Sequence, residues 1–424
     1  MSRYIESELG PLLDTIIDYR GKTPKKLKGE WASSGIPALS AKNIKKGKIV
    51  NQEAIRYVDR DLYSRWMKEE VKKGDILMTS EAPLGETFYV KNDDKLLLSQ
   101  RLFAIRTKKE KLDSQFLYYY FNSKFGNHEL LSRATGTTVG GIRQTALVKV
   151  LVRYPENVGT QKNISSILTA YDDLIENNEK RIRALEEMAQ LLYTEWFVKF
   201  KFPGHEKVKL IDSGTEYGKI PEGWEVKKLS QVASFVRGCS YSSEEIDDFI
   251  GDYYMVNLKS FNRGGGFRFD GAKYYSGTIS DSQLLKAGDI VVAVTDMTND
   301  RAVIARPARV PEIDGKVTLS ADVVKMNSDI LPNSFLYEIL SSYRFTEKTK
   351  QKANGANVLH LKPAAILEFE ALIPSVKLLK EFAVLCEPAI NEADKLVKQN
   401  EILVKTRDLL IPQLVTGKRE LKNI

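Results

Sequence analysis

The sequence predicts an α+β protein built by tandem duplication. Each copy is an α+β globule followed by a long helix, and the two helices pair as an antiparallel coiled coil. Three observations predict this arrangement. Short sequence patterns recur in one order at a separation of 214–222 residues. Short β-like runs alternate with helix-like stretches inside each copy, and two later segments carry an apolar heptad pattern.

The internal repeat is the strongest of these signals. The matched segments, first copy with second copy, are Arg20–Gly21 with Arg237–Gly238, Lys73–Leu77 with Ala287–Val291, Leu98–Ser99 with Leu319–Ser320, Ser114–Tyr118 with Asn333–Tyr337, Arg133–Val139 with Lys352–Val358, and Pro155 with Pro374. One such match would carry little weight, but six in the same order indicate a duplication of about 215–220 residues.

The globules are predicted at residues 1–155 and 204–374. Their β-like runs are bounded by Gly, Asn and Asp turn signals, which is typical of short strands. The clearest runs are Asp75–Met78 and Asp289–Val294. Helix-like stretches cover residues 114–125 and 333–344.

The long helices are predicted at residues 156–203 and 375–424. Apolar residues recur at alternating steps of four and three in both segments, which is the pattern of a coiled-coil seam. The first seam is Ile164, Leu168, Tyr171, Ile175, Asn178, Ile182, Leu185, Ala189, Leu192 and Trp196. The second is Ile390, Ala393, Val397, Asn400, Val404, Arg407, Ile411 and Leu414.

The ends of these helices also have sequence signals. Thr160 and Ser375 follow prolines and are candidate N-caps. Pro388 is expected to kink or restart the second helix, and Pro412 is expected to end it.

Each seam contains one asparagine, Asn178 or Asn400, at the matching position of the repeat. A buried asparagine costs stability but is satisfied best by another polar group, so it can fix the register of a helix pair. If the helices pair antiparallel about a pseudo-two-fold axis, these two side chains lie close together. The alternative is that both asparagines are partly exposed and do not determine the register of the helix pair.

Length and composition exclude several classes of protein. The 424 residues are 42% apolar and 28% charged, which suits a soluble chain of two to four domains. No apolar run approaches the ~18 residues of a membrane span, and the N-terminus lacks a signal-peptide core, so we expect a cytoplasmic protein without membrane contact. The two cysteines and three histidines are scattered, which excludes a disulfide framework and predicts no metal site.

Catalytic motifs are missing from the sequence. There is no dinucleotide-binding G-x-G-x-x-G after a strand, no P-loop, and no G-x-S-x-G elbow. The carboxylates Asp75 and Asp289 recur in the repeat, but each follows a glycine and precedes a β-like run, so turn capping is favoured over catalysis. These absences favour a protein that binds, with no catalytic residues and no cofactor of its own.

The net charge of +8 is concentrated in one globule. Residues 1–155 contain 28 Lys and Arg against 18 Asp and Glu, whereas residues 204–374 contain 21 against 23. The first globule should therefore dominate salt-sensitive, non-specific attraction to DNA.

Candidate DNA-binding residues lie in loop-like segments of both globules, where lysine can attract phosphates and arginine or asparagine can read base edges. In the first globule they are Arg20, Lys22, Lys25, Lys26, Lys42, Asn43, Lys45, Thr135, Thr137 and Arg143. In the second they are Arg237, Lys259, Asn262, Arg263, Thr295, Thr298, Asn299, Asn354 and Asn357. For each cluster, a solvated loop or a simple tight turn is the competing interpretation.

The long helices have a geometric consequence for such binding. A helix of ~35–38 residues is ~55 Å long, and one turn of B-DNA is ~34–36 Å. Two similar modules joined by such helices suit two separated sites on one duplex, and their divergent loops suit an asymmetric target.

The chain as a whole resembles the specificity subunits of type I restriction–modification systems. The segments that carry the resemblance are Arg20–Pro24, the repeated Gly-Asp-Ile, Gln161–Ile164, Gly218–Val226 and Leu409–Lys418. The resemblance implies that each globule is a target recognition domain for one half of a bipartite DNA site. It further implies that the helices pair antiparallel, set the gap between half-sites and dock modification subunits.

Partners and cofactors follow from the same resemblance. Double-stranded DNA, modification (methyltransferase) subunits and restriction (translocase and nuclease) subunits are the implied partners. S-adenosylmethionine, for adenine methylation, and ATP with magnesium would be bound by those subunits. Three alternatives remain at the level of sequence: a specificity subunit serving a fused nuclease–methyltransferase, a coiled-coil scaffold that binds only protein, and an enzyme with an unfamiliar site.

Overall fold

The computed structural model describes residues 3–136, 140–269, 271, 273–298, 301–355, 357–419 and 421. The chain divides into two compact units. Unit 1 is Met1–Asp173 with Val404–Ile424, and unit 2 is Leu174–Leu403. Each unit therefore contains one globule and a part of each long helix.

The strands of unit 1 are β1 (Tyr4–Glu8), β2 (Leu13–Asp18), β3 (Ile36–Leu39), β4 (Ile44–Lys45), β5 (Lys48–Ile49), β6 (Arg56–Val58), β7 (Ile76–Thr79), β8 (Thr87–Tyr89), β9 (Leu97–Leu98), β10 (Leu102–Thr107) and β11 (Leu151–Pro155). They form sheets in the orders β2-β10-β7-β8, β6-β3-β9, β1-β11 and β4-β5. The largest sheet is antiparallel, and Ala104 lies opposite both Ile17 and Leu77. The predicted β-like run at Asp75–Met78 contains most of β7, one of the two inner strands of this sheet, whose side chains are all buried.

The strands of unit 2 are β12 (Leu210–Asp212), β13 (Lys219–Pro221), β14 (Glu225–Lys228), β15 (Ser234–Arg237), β16 (Ile246–Asp247), β17 (Tyr253–Val256), β18 (Lys273–Tyr275), β19 (Ile290–Ala293), β20 (Thr295–Asp296), β21 (Pro307–Arg309), β22 (Lys316–Leu319), β23 (Val323–Asn327), β24 (Leu359–His360) and β25 (Glu370–Ile373). Their orders are β15-β23-β19-β21, β16-β18-β17-β22, β14-β25, β12-β13 and β20-β24.

The two units repeat one topology. The sheet β15-β23-β19-β21 corresponds to β2-β10-β7-β8, and the pair β14-β25 corresponds to β1-β11. The parallel pair β17-β22 likewise corresponds to the parallel pair β3-β9. The predicted α+β duplication is therefore confirmed at the level of strand order.

The helices are α1 (Arg60–Trp66), α2 (Ser114–Asn122), α3 (Lys124–Ser132), α4 (Gln144–Leu147), α5 (Val158–Tyr193), α6 (Asn333–Ser341), α7 (Tyr343–Lys350), α8 (Ala364–Leu367) and α9 (Val376–Val415). Each helix-like stretch predicted inside a globule is in fact two helices divided at a serine. Ser123 Oγ accepts the Gly126 N–H and Ser342 Oγ accepts the Phe345 N–H, both at 3.2 Å, so each serine caps the second helix of its pair.

The long helices α5 and α9 span 36 and 40 residues. Ser375 caps α9 as predicted, since its Oγ accepts the Leu378 N–H at 3.4 Å. The predicted cap Thr160 is wrong. It lies inside α5, and its N–H donates to Asn157 Oδ1 at 3.1 Å, so Asn157 satisfies this free amide at the start of α5.

Helix α9 neither restarts at Pro388 nor ends at Pro412. The helix continues through Pro388 and ends at Val415, three residues beyond Pro412. A proline deprives the carbonyl four residues earlier of its N–H partner. Those carbonyls belong to Val384 and Asp408, which are both exposed, so water can replace the missing donor.

Each globule shares its core with helix segments of its own unit. In unit 1, Ile164 and Leu168 of α5 and Ile411 and Leu414 of α9 belong to the cluster that contains Phe116. In unit 2, the π-helical turn Thr194–Val198 continues α5. Its Phe197 ring lies 4.8 Å from Phe335 and 5.1 Å from Phe382, in edge-on geometry.

Among the described residues, no helix is both long and apolar enough to cross a membrane.

Candidate nucleic-acid interface

The basic clusters of the first globule lie in short turns at its surface. Lys25 and Lys26 belong to a 3-10 turn that follows β2, and Lys42 and Lys45 flank the start of β4. All four side chains are exposed, although Lys26 Nζ also donates to Gly21 O at 2.8 Å. Arg143, just before α4, is exposed as well. Exposed lysine and arginine side chains are the kind that can attract a polyanion.

Arg20 and Lys22 are engaged inside unit 1. The Arg20 guanidinium donates to both Asp18 carboxylate oxygens, at 2.9 and 2.8 Å, and lies 4.1 Å from the centre of the Phe103 ring. Lys22 Nζ donates to Trp66 O at 2.7 Å. Burial lowers the pKa of Lys22, and Lys68 adds to the effect. Both residues support the loop that carries Lys25 and Lys26.

Asn43 is buried and hydrogen-bonded within its own turn. It is 2% exposed, and its Oδ1 accepts from the Ser40 N–H and Oγ at 3.0 and 2.9 Å. Its Nδ2 donates to Val50 O and Asn51 O, both at 3.3 Å. Every polar atom of this side chain therefore shapes the turn between β3 and β5, and Lys42 owes its exposed position to that turn.

The glycine-containing loops of the two copies close in the same way. The backbone N–H and O of Thr135 pair with those of Gly141 at 2.8 and 3.0 Å, and those of Asn354 pair with His360 at 3.0 and 2.7 Å. The amides of Thr135 and Gly141 are therefore used in closing the loop and do not face a phosphate. The Thr135, Asn354 and Asn357 side chains are exposed. Thr137 lies outside the described residues.

In the second globule, three predicted basic residues are exposed: Arg237, Lys259 and Arg263. The Arg237 guanidinium lies 6.0 Å from the Phe235 ring centre. Asn262, also exposed, donates from Nδ2 to Phe267 O at 3.2 Å, so one of its donors closes the glycine turn between them.

Thr295 and Thr298 make local contacts within unit 2. Thr295 is 6% exposed in β20, and its Oγ1 lies 3.4 Å from His360 Nδ1. Thr298 donates from N and Oγ1 to Asp296 Oδ1 at 2.7 and 2.6 Å. Burial opposes ionisation of Asp296, but Thr298 and the Val303 and Ile304 amides outweigh it and lower its pKa. Asn299 lies outside the described residues.

The repeated aspartates are confirmed as turn caps, with a second role that the sequence analysis missed. Asp75 Oδ2 accepts the Lys72 N–H at 2.9 Å, and Asp289 Oδ2 accepts the Lys286 N–H at the same distance. Asp75, 1% exposed, also binds the Arg106 guanidinium through two bonds of 2.8 Å. This hydrogen bonding to Asp75 raises the pKa of Arg106.

Unit 2 repeats that ion pair with Lys325 Nζ, 2.8 Å from Asp289 Oδ2. Arg106 on β10 and Lys325 on β23 occupy matching strands, so the pair belongs to the duplicated scaffold. The two cations stand at different positions of their strands, since Arg106 follows Ile105, which lies opposite Ile76, whereas Lys325 precedes Met326, which lies opposite Ile290.

The helix pair of unit 2 brings the seam asparagines together. Asn178 Nδ2 donates to Asn400 Oδ1 at 2.9 Å and to Gln399 Oε1 at 3.1 Å, and Asn400 Nδ2 donates to Ile175 O at 3.4 Å. Asn178 is fully buried. Close by, Arg181 Nη2 lies 3.0 Å from Glu392 Oε1. The residue numbers rise on α5 as they fall on α9, so the segments are antiparallel.

In unit 1 the same helices meet through a charged group. Arg407 Nη1 lies 2.5 Å from Asp172 Oδ1, and Tyr119 Oη donates to Asp172 Oδ2 at 2.6 Å. Burial and the neighbouring Asp172 raise the pKa of Tyr119, so this hydroxyl remains a donor. Arg407 therefore fits a seam position because it pairs with the Asp172 carboxylate, which Tyr119 holds in place.

The described residues contain no group of three or more His, Cys, Asp or Glu arranged to hold a metal ion. The arrangement offers hydrogen-bond donors and positive charge at loop tips, which is chemistry for recognition.

Comparison with known proteins shows what the chain is similar to. Residues 7–187 match the family described as type I restriction modification DNA specificity domain. The chain is 28% identical to the type I restriction enzyme MjaIX specificity subunit of Methanocaldococcus jannaschii, over 95% of this chain and 91% of that protein. It is 22% identical to the HindI specificity subunit of Haemophilus influenzae, over 82% and 87% of the two chains.

The fold has a solved counterpart. The crystal structure of the type I restriction–modification S subunit from M. genitalium matches with a TM-score of 0.60 at 15% identity, over 99% of this chain and 97% of that chain. At this identity the likeness concerns the fold.

Proposed function

We propose that the chain is a specificity subunit of a type I restriction–modification system and that each globule reads one half of a bipartite, asymmetric DNA site. As a specificity subunit it is a recognition component rather than a catalytic one. The observation that carries the proposal is the duplicated sheet topology in which the scaffold is shared and the loops diverge.

The divergence lies in the segments that can touch DNA. Strand orders and the buried Asp–cation pair repeat between the units, whereas Lys25, Lys26 and Lys42 have no basic counterpart of equal density in unit 2. A shared scaffold with different exposed side chains reads two different base sequences. We infer that the first globule contributes most phosphate attraction and that the second depends on hydrogen-bond readout by residues such as Arg237.

The long helices are proposed to set the gap between half-sites and to dock modification subunits. Helices of 36 and 40 residues are ~54–60 Å long, more than one turn of B-DNA. S-adenosylmethionine for adenine methylation, and ATP with magnesium for restriction, would be bound by modification and restriction subunits. In this arrangement the chain selects the sequence and its partners carry out the reactions.

A globule exchange tests the proposal. Residues 1–155 are replaced by the first globule of another specificity subunit, and the methylome of cells that also carry the modification subunit is sequenced. We expect a bipartite methylated motif in which only one half changes. The unmodified chain without its modification subunit is the control. Absence of a new motif with the unmodified chain, or a change in both halves, would overturn the proposal.

A further inference from the structure

One loop of the duplicated scaffold is basic in unit 1 and acidic in unit 2. Residues 25–35 of unit 1 and 242–252 of unit 2 occupy the same place, between β2 and β3 and between β15 and β17. The first contains three lysines and one glutamate. The second, which we name the acidic tip, contains five carboxylates and no lysine or arginine: Glu244, Glu245, Asp247, Asp248 and Asp252.

The acidic tip also presents two apolar side chains to solvent. Phe249 is 83% exposed and Ile250 is 78% exposed. Single exposed apolar residues are ordinary, but two adjacent large ones at this exposure cost free energy in water. They are expected to be covered in the working protein.

Contacts within unit 2 hold these side chains outward. Asp247 Oδ1 accepts the Phe249 and Ile250 amides at 2.6 and 3.0 Å, and these bonds lower its pKa. Lys273 on β18 forms an ion pair with Asp248. Gly251 lies very close to Tyr274 and Tyr275. A Cβ atom at position 251 would be only 2.8 Å from the backbone nitrogen of Tyr275. The tip is therefore pre-shaped, and little ordering is needed when a partner covers it.

We propose that the acidic tip is a docking element for a protein partner, the modification subunit, whose surface has an apolar socket rimmed by lysine or arginine. This rests on the proposed function above. The negative charge of the acidic tip favours a protein partner over DNA. Its four carboxylates that are not paired with Lys273 would repel DNA phosphates, whereas they complement a basic rim on a protein surface. The matching loop of unit 1 keeps its lysines for DNA, so one position of the duplicated scaffold serves two kinds of partner.

The test measures binding of the full-length chain to the modification subunit encoded with it. Phe249→Ser combined with Ile250→Ser removes the apolar anchors, and Glu244→Lys combined with Asp252→Lys reverses part of the charge. Tyr343→Ser is the matched control, because Tyr343 is a surface residue of α7 in the same unit with 80% exposure. A random-sequence duplex provides a separate DNA-binding measurement.

We expect both double variants to weaken binding of the modification subunit at least tenfold, and the control to bind like wild type. The Phe249 and Ile250 variant should keep duplex affinity within about twofold. Unchanged subunit binding would overturn the proposal. Lost duplex affinity with intact subunit binding would assign the tip to DNA, and wild-type self-association abolished by the variant would assign it to a second copy. If wild type binds no modification subunit, the proposed function itself fails.

Discussion

At the scale of single residues, Glu338 of α6 stands out as a carboxyl group that is only 4% exposed. It faces Glu186 of α5, Asp394 of α9 and Arg309 of β21 within unit 2. Arg309 Nη2 forms an ion pair with Asp394 Oδ2 at 2.9 Å. Burial, reinforced by Glu186, raises the pKa of Glu338 to about 8. The protonated acid is thus the form that fits this packing at neutral pH.

The raised pKa of Glu338 predicts how the stability of the protein depends on pH. In the folded protein Glu338 keeps its proton up to a pH of about 8, whereas the ordinary pKa of a glutamate, which applies in the unfolded chain, is 4.5. Between pH 4.5 and pH 8 the folded protein therefore binds more protons than the unfolded chain. Stability should therefore fall as the pH rises across that window. Glu338→Gln should remove much of this fall and raise the free energy of unfolding at pH 9 by a few kcal/mol. Urea unfolding at pH 5, 7 and 9 measures it.

The matched control is Glu222→Gln, which changes an exposed glutamate of the same unit. Tyr193, Tyr337 and Cys386 lie close enough to interact with Glu338, and burial raises the pKa of each well above pH 9, so all three stay neutral across the tested range. An unchanged pH profile in Glu338→Gln would show that Glu338 is ionised in the folded protein.

At the scale of elements, the paired segments of α5 and α9 in unit 2 combine an apolar seam with one polar layer. Asn178 and Asn400 bond to each other, but Asn178 Oδ1 is buried and accepts no hydrogen bond within the described part of the chain. Such a layer costs stability and is retained where a particular register matters.

The polar layer predicts opposite effects of single and double substitution. Asn178→Leu should cost about 1–3 kcal/mol, because it leaves Asn400 Oδ1 without its donor. Asn178→Leu with Asn400→Leu should restore or exceed wild-type stability. In that background, cysteines replacing Arg181 and Glu392, whose charged groups are 3.0 Å apart in the wild type, should be bridged less completely by a bifunctional thiol reagent. Cross-linking as complete in the double variant as in the wild-type background would exclude a role in register.

At the scale of the whole molecule, charge is divided between the two copies. The net charge of residues 1–155 is +10, while that of residues 204–374 is −2. Counterion release makes non-specific DNA affinity depend on how many phosphates are neutralised. The first globule should therefore determine most of the salt dependence of the full chain.

This division predicts unequal effects of equal charge removal. Changing Lys25, Lys26, Lys42 and Lys45 to glutamine should reduce the slope of log K against log salt by up to about 3–4. The matched control changes the same number of exposed lysines in unit 2, namely Lys209, Lys259, Lys286 and Lys362. That set should change the slope by less than half as much. Equal effects, measured by fluorescence anisotropy on a random duplex, would contradict the division.

Much of the molecule could be predicted from local patterns. The duplication, the helix-pair seam and the turn-capping aspartates all follow from spacing, because spacing fixes which side chains share a face. The interface was harder, because loop polarity does not say whether a side chain faces the solvent or its own backbone. Asn43, Thr295 and Thr298 were expected to meet DNA, but the structure uses them within their own turns.

The sequence by itself determined the repeat, the fold class and the uneven charge, since these depend on order and composition along the chain. Only the tertiary structure decided which polar side chains remain outside. The tertiary structure also pairs Arg106 with Asp75 and continues α9 through Pro388. It leaves Phe249 exposed to solvent among the carboxylates of the acidic tip. The physical reason is that burial and hydrogen-bond satisfaction depend on neighbours distant in sequence, which no local pattern records.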